Sequence, residues 1–303
     1  MDLITTNELC KKYGKKLVID HVNMHIPEHA IYGFVGENGS GKTTIMRLLT
    51  GLAEPTGGSF TLFGVKNTDK RIYAKRNKVS AIVEATSLVP TLTAEENIRY
   101  LELYTGISLT PADRKEILKK VHLEDVGNKK VKNFSLGMRQ RLGIAMALIN
   151  KPSLMFLDEP MNGLDPEGIA ELRDLLIELN QKDGITVLIS SHILSELEKI
   201  ASCYGFISHG KILEEISATE LQERCRKSLK ISVDKLKETE AVLKSLKLHD
   251  YKISSNGEIQ IFDAVKINEL VLALDNKGIN ILTINSSDES VEDYYLDLIR
   301  RAK

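Results

Sequence analysis

Apolar residues follow two patterns along this chain, and the change from one to the other marks its organisation. Residues 31–35 and 154–157 are unbroken apolar runs, and 186–190 is nearly one. Runs of this length are too short for helices and suit parallel strands buried on both faces. Residues 3–9, 17–26 and 59–65 instead alternate apolar with polar positions, which predicts an antiparallel sheet near the N-terminus. Residues 78–83 read as a further strand. The period turns helical over 94–104 and 111–121, with Thr110 as N-cap of the second helix and Pro111 at its first position, where a missing N–H is harmless. Residues 134–141 lead into an apolar helix over 142–149, and Ser135 is placed as its N-cap.

Gly210 with Lys211 marks a hairpin turn, and the pattern beyond it is of another kind. Strand, helix, strand, strand, helix, strand are predicted over 229–233, 235–246, 251–255, 258–262, 265–274 and 279–284. Asn256 and Gly257 form the turn between the paired strands. A last helix covers 291–302, with Ser287 or Asp288 near its cap. The order βαββαβ is that of a ferredoxin-like split unit. Two domains follow, 1–215 and 216–303, and 303 residues suffice to give each a core. The second shows no catalytic constellation, since His249 stands alone among charges spread as on solvated helix faces. Its expected role is structural, dimerising or regulatory, with ligand or partner binding left open.

The formal net charge is −1 with 27% charged residues, so no basic excess exists to follow a nucleic acid, and none is expected as a partner. Cys10, Cys203 and Cys225 are far apart and odd in number, which argues against a disulfide framework or a zinc site and for a reducing compartment. No stretch reaches 18 apolar residues, and the first residues include Asp2 and Glu8 rather than a basic segment before an apolar one. A cytoplasmic chain that does not itself span a membrane is expected.

Chemistry concentrates where the buried strands end. After residue 35 come Gly36, Glu37, Asn38, Gly39, Ser40, Gly41, Lys42, Thr43 and Thr44, a glycine-rich turn that opens a helix. This spacing is a phosphate-binding P-loop: backbone N–H groups converge on the phosphates, Lys42 reaches the β- and γ-phosphates, and the Thr43 hydroxyl holds Mg²⁺. The strand over 154–157 ends in Asp158 and Glu159, and Pro160 stops the ladder. In an open α/β sheet that edge binds ligand, which suits Asp158 to Mg²⁺ and Glu159 to an attacking water. His192, just past the strand over 186–190, projects toward the same edge and can contact the γ-phosphate or that water; a capping or core histidine is the bland alternative.

Ser135, Leu136, Gly137, Met138 and Arg139 then complete a pattern: the chain resembles the ATP-binding cassette proteins, whose signature is usually LSGGQ followed by a basic residue. Ser135 and Gly137 keep the groups that signature uses on the γ-phosphate, while Leu136 and Met138 depart from it. Asn162, Gly163, Leu164 and Asp165 resemble the family's D-loop, which crosses a dimer interface. Tyr13 stands at the aromatic position that stacks on adenine, or is an ordinary strand-end tyrosine. Glu84 stands where most cassettes carry the Q-loop glutamine, as a further group near Mg²⁺. Glu84 and the run 135–141 are similar to the cassette subunits of bacitracin and lantibiotic exporters.

The resemblance covers about residues 1–215. It implies an α/β P-loop cassette: a RecA-like core, an N-terminal antiparallel β subdomain beside the nucleotide base and an α-helical subdomain at about 85–150, followed by the small α+β domain. It also implies that residues 85–93 form part of a groove for a helix of a membrane partner; burial of Leu88, Val89, Pro90 and Leu92 against the chain's own helices accounts for them equally. The implied function is ATP hydrolysis for a separate permease at the inner face of the membrane, by a homodimer or by a heterodimer with a sister cassette, exporting a peptide antibiotic or other amphiphile. Each ATP would meet Ser135, Gly137 and Asp165 of the other copy. A soluble cassette ATPase acting on DNA or ribosomes is the alternative, against which stand the short insert and the balanced charge.

Overall fold

The computed structural model describes residues 1–83, 86–254, 257–287 and 290–302. They divide into two compact units, Met1–Ala218 and Thr219–Arg300. The strands of the first are β1 (Asp2–Tyr13), β2 (Lys16–Pro27), β3 (Ile31–Val35), β4 (Gly57–Leu62), β5 (Val65–Lys66), β6 (Val79–Ile82), β7 (Leu154–Asp158), β8 (Thr186–Ser191), β9 (Cys203–Ser208) and β10 (Lys211–Ser217). Their central sheet has the order β10-β9-β3-β8-β7-β6. β9, β3, β8, β7 and β6 run parallel, and β10 folds back on β9 as an antiparallel edge. Every residue of β3 and β8 is buried, as unbroken apolar runs require when both faces are covered.

A second sheet, β2-β1-β4-β5, is antiparallel throughout. Between the two sheets lies the helix Lys42–Thr50, whose Ile45, Met46, Leu48 and Leu49 pack in one cluster with Ile4, Met24 and Phe60 of one sheet and Phe34, Phe156 and Leu188 of the other. The helix that carries Lys42 is thus anchored through its apolar side chains on both flanks, which fixes the position of its N-terminus.

The middle of the unit is helical, with Ala94–Thr105, Pro111–Lys120 and Leu136–Leu148. Thr93 and Thr110 each form a capping box, with Glu96 and Asp113 respectively. Arg114 joins the first two helices by donating to the Glu102 carboxylate at 3.1 Å and to the Leu109 carbonyl at 2.9 Å. The third helix starts at Leu136, six residues before the apolar run that announces it in the sequence, because Ser135 caps it directly and nothing between 136 and 141 breaks it.

The second unit contains β11 (Ser228–Val233), β12 (Tyr251–Ile253), β13 (Ile259–Ile261) and β14 (Ile281–Ser287), in the order β12-β13-β11-β14 with antiparallel neighbours. With helices Leu236–Ser245 and Ile267–Asp275 in the crossovers, this is the ferredoxin-like arrangement. Leu229, Ile231, Ile259 and Ile261 meet Val242, Leu243, Leu270 and Leu274 in its core. The closing helix, Val291–Arg301, has Ser290 at its start: the Asp293 amide donates to Ser290 Oγ, and the Ser290 amide donates back to the Asp293 carboxylate, each at 3.1 Å. Asp288 and Asn256 lie outside the described residues.

One buried polar contact ties three strands of the first unit. Tyr32, 1% exposed, donates from its hydroxyl to Glu215 Oε1 at 2.7 Å, and the His25 amide donates to the same oxygen at 2.8 Å. Burial, and then the adjacent Glu215 carboxylate, holds the phenol well above its ordinary pKa, so it remains a donor. Tyr32→Phe should therefore lower stability by about 1.5–3 kcal/mol, the worth of a hydrogen bond to a charged group, read from the denaturation midpoint.

Candidate active site at the carboxyl edge of the parallel sheet

β3 delivers the glycine-rich turn to the edge, and the turn's geometry explains its composition. A Cβ on Gly36 would stand 2.5 Å from Ser40 Oγ and 2.6 Å from the Ile207 carbonyl, closer than any side chain permits. Gly41, at φ 117°, turns the chain into the helix at Lys42. The Lys42 side chain is 5% exposed; its ammonium donates to the Gly36 carbonyl at 2.6 Å and the Glu37 carbonyl at 3.3 Å, and lies 3.3 Å from Glu159 Oε1. Ser40 Oγ is buried without a hydrogen-bond partner inside the turn. Glu37, Asn38 and Gly39 are exposed on the outer rim, and Thr43 and Thr44 stand half-buried in the first helical turn.

The strand ends supply the acids. Thr43 Oγ1 donates to Asp158 Oδ2 at 2.6 Å, and Ser190 Oγ donates to Asp158 Oδ1 at 2.6 Å. The same Ser190 oxygen accepts from the Glu159 amide at 2.9 Å. Glu159 adopts φ 50°, a left-handed backbone that turns its side chain out of the strand direction. His192 Nδ1 lies 2.7 Å from Glu159 Oε2, so the ring donates when Nδ1 carries its proton. Glu159 Oε1 makes no hydrogen bond and keeps only the ion-pair contact with Lys42. Lys42, Thr43, Asp158, Glu159 and His192, read separately from three segments, thus form one connected cluster. Ser190 was not singled out in the sequence, where a serine ending an apolar run reads as a strand terminus; its one signal is its place beside Ser191 and His192.

This cluster fits a nucleotide with its metal. The Thr43 hydroxyl and the Asp158 carboxylate present hard oxygen donors 2.6 Å apart, the donor class Mg²⁺ takes. The cradle left by Gly36 and the buried Ser40 hydroxyl lie under the helix N-terminus, where anions are favoured.

Ser135, Gly137 and Asp165 form a separate group. Ser135 Oγ accepts from the Met138 amide at 3.2 Å, and Asp165 Oδ1 accepts from the Gly168 amide at 3.1 Å, each capping its own helix. A Cβ on Gly137 would meet only ordinary contacts, 3.7 Å from Gly168 Cα and 3.8 Å from Leu164. Leu136 stands 43% exposed, and a Cβ on Gly163 would come 3.2 Å from its Cδ2, so this departure from the signature lies beside the D-loop glycine. Tyr13, 46% exposed, ends β1 with Lys11 Nζ 4.9 Å from its ring centre. Glu84 lies outside the described residues. The larger cavity of about 680 Å³, between His29 and the helix Pro111–Lys120, opens at the opposite ends of the strands, so volume does not mark the chemistry.

Residues 19–162 match the family model of the ABC transporter. Over 98% of its length the chain is 41% identical to the bacitracin transport ATP-binding protein BcrA of Bacillus licheniformis, covering 97% of that protein. The chain belongs to the ABC transporter ATP-binding protein family. The lantibiotic transport ATP-binding protein SrtF of Streptococcus pyogenes is 44% identical over 70% of this chain and 90% of its own length. Among solved structures, the dimeric cassette MJ0796 superposes with a TM-score of 0.63 at 28% identity, over 71% of this chain and 98% of that one. The same cassette is known as a post-hydrolysis dimer bound to ADP and Pi, matched with a TM-score of 0.62 at 26% identity, over 71% of this chain and 98% of that one. This cassette subunit is accordingly an ATPase, of a family whose subunits dimerise and drive transport with permease partners.

Ser190 joins both acids of the cassette, and its loss tests the cluster. Ser190→Ala removes the donor to Asp158 and the acceptor for the Glu159 amide. It should lower kcat for ATP by about 10–100-fold, the effect expected of an outer-shell partner, while nucleotide affinity changes far less. Steady-state turnover beside fluorescent-nucleotide titration separates the two.

Proposed function

We propose that this cassette works as a pair of copies, each holding ATP and Mg²⁺ at its own P-loop and closing on the Ser135 and Gly137 of the other, to drive a separate permease at the inner face of the membrane. The observation that carries the reading is the division of the machinery into two groups. The cluster around Lys42 and Glu159 has its charges and a carboxylate oxygen that makes no hydrogen bond, whereas Ser135 and Gly137 stand at the start of another helix. Ser135 Oγ already accepts from the Met138 amide, so its O–H remains free to donate to a phosphate oxygen. Gly137, without steric need in its own chain, leaves a bare backbone beside that hydroxyl.

Within one site, the ammonium of Lys42 neutralises phosphate charge and the P-loop amides orient the chain of phosphates. Thr43 and Asp158 would hold Mg²⁺, which neutralises charge on the β- and γ-phosphates when bound. Glu159 is turned to the site by its backbone and steadied by His192, which leaves Oε1 to polarise water as general base. Ser190 keeps Asp158 and Glu159 in register. Tyr13 stacks on adenine and Asp165 places its loop at the pair interface.

For the transported solute, the two relatives named for bacitracin and lantibiotic transport support a peptide antibiotic or similar amphiphile, and export is its direction. No helix among the described residues is long and apolar enough to cross a membrane, which fits a permease on another chain. A cavity of about 330 Å³ between β6, the half-buried Leu88 and the helices Ala94–Thr105 and Leu136–Leu148 supports residues 86–93 as its docking groove.

Glu159→Gln should retain ATP binding and lose turnover by about 10²–10⁴-fold, the share of a general base. Tagged Glu159→Gln chain drawn from solubilised membranes with ATP and Mg²⁺ should bring a multi-span protein at near-equal ratio. Turnover at the parent rate overturns the assigned base, and recovery of ribosomes or DNA proteins overturns the transport reading.

A further inference from the structure

A bulge in the β1–β2 hairpin assembles a second cluster, which the ATPase chemistry does not use. The ladder pairs Leu9 with Val22 and Lys11 with Ile19, so the single residue Cys10 faces both Asp20 and His21. A bulge of this kind re-aims side chains and is over-represented beside functional sites. His21 adopts φ 50°, a strained backbone for a residue with a side chain. The buried positions of β2 slip accordingly, from Ile19 to Val22, Met24 and Ile26. As a result one thiol, one carboxylate and one imidazole converge from residues that regular alternation would place on different faces.

We propose that Cys10, Asp20 and His21 form a three-donor site for a borderline-soft divalent cation of the zinc class. Their ligand atoms all lie within 4.8 Å of one another. A tetrahedral site with bonds of about 2.0–2.3 Å separates its donors by about 3.3–3.8 Å, a spacing inside the spread that these three ligand atoms already span. Sulfur, nitrogen and carboxylate oxygen together select zinc over the hard cation of the phosphate site, which prefers oxygen alone. With His21 63% exposed, a fourth position faces solvent and admits water.

Two features of the surroundings shape the test. Lys211 Nζ lies 3.1 Å from Asp20 Oδ2; this ammonium competes with a cation, and being 63% exposed it can swing aside. The Asp20 amide donates to the Gly210 carbonyl at 2.9 Å, and the Gly210 amide donates to the Ser40 carbonyl at 2.8 Å. The cluster therefore stands two backbone hydrogen bonds from the P-loop, yet its ligands are none of the residues assigned to ATP.

The experiment uses the full chain, reduced and stripped by chelator, in excess Mg²⁺, titrated with Co²⁺ as the probe for zinc. The expected result is one equivalent bound with a thiolate-to-cobalt charge-transfer band in the near ultraviolet, displaced by Zn²⁺. Cys10→Ser should abolish the band. His21→Asn, which tolerates the left-handed backbone, should weaken binding by about tenfold or more. Lys211→Met should tighten it by removing the competing charge. A Cys203→Ser, Cys225→Ser double variant should keep the band in full; burial pushes the Cys203 thiol up to about 11, away from the thiolate a metal needs. Absence of the band, or its survival in Cys10→Ser with native circular dichroism, overturns the proposal.

Discussion

Asp158 is held from both sides. The Thr43 hydroxyl donates to one of its oxygens and the Ser190 hydroxyl to the other, each at 2.6 Å, so a carboxylate on β7 is bonded to the P-loop helix and to β8 at once. The rest of the site inherits its position from this link. Ser190 passes it to Glu159 through the backbone amide, and Glu159 in turn places the His192 ring and faces Lys42. A charged group with both oxygens satisfied in a half-buried position has little freedom, and such restraint is what a preorganised site requires.

The scaffold behind that link is apolar. Buried parallel strands with no polar side to solvate bring their carboxyl ends to one edge, and the helix Lys42–Thr50 is gripped between two sheets by four buried side chains. Hydrophobic burial therefore sets where the N-terminus of that helix points, and a few short polar contacts set the chemistry in front of it. The second unit repeats the same division on a smaller scale, with an antiparallel sheet packed on two helices and caps such as Ser290–Asp293 defining the helix ends.

Much of this was legible in the sequence because it rests on local rules. The P-loop spacing, the paired acids before Pro160, and the period changes of the second unit each mark a strand end, a turn or a helix start. What escaped depends on pairing between distant segments. Ser190 reads as the end of an apolar run until β8 is laid beside β7. The gathering of Cys10, Asp20 and His21 depends on a register slip of one residue, whereas in the sequence the three scattered cysteines argue against a zinc site. The helix at Leu136 begins earlier than its apolar run suggests, since propensity and a good cap sustain a first turn that buries little. Leu136 itself departs from the family signature, and that its Cδ2 lies where a Cβ on Gly163 would crowd it is visible only in the structure.

The central claim is that one chain supplies the phosphate cradle and the base while a second copy supplies Ser135, and a mixing experiment tests it most directly. Glu159→Gln chain and Ser135→Ala chain should each be nearly inactive alone. In a mixed pair, one site combines both defects, and the other unites the intact Glu159 of one copy with the intact Ser135 of its partner. The account predicts ATP turnover in the mixture well above the sum of the two variants measured separately; turnover equal to that sum across all mixing ratios would contradict it.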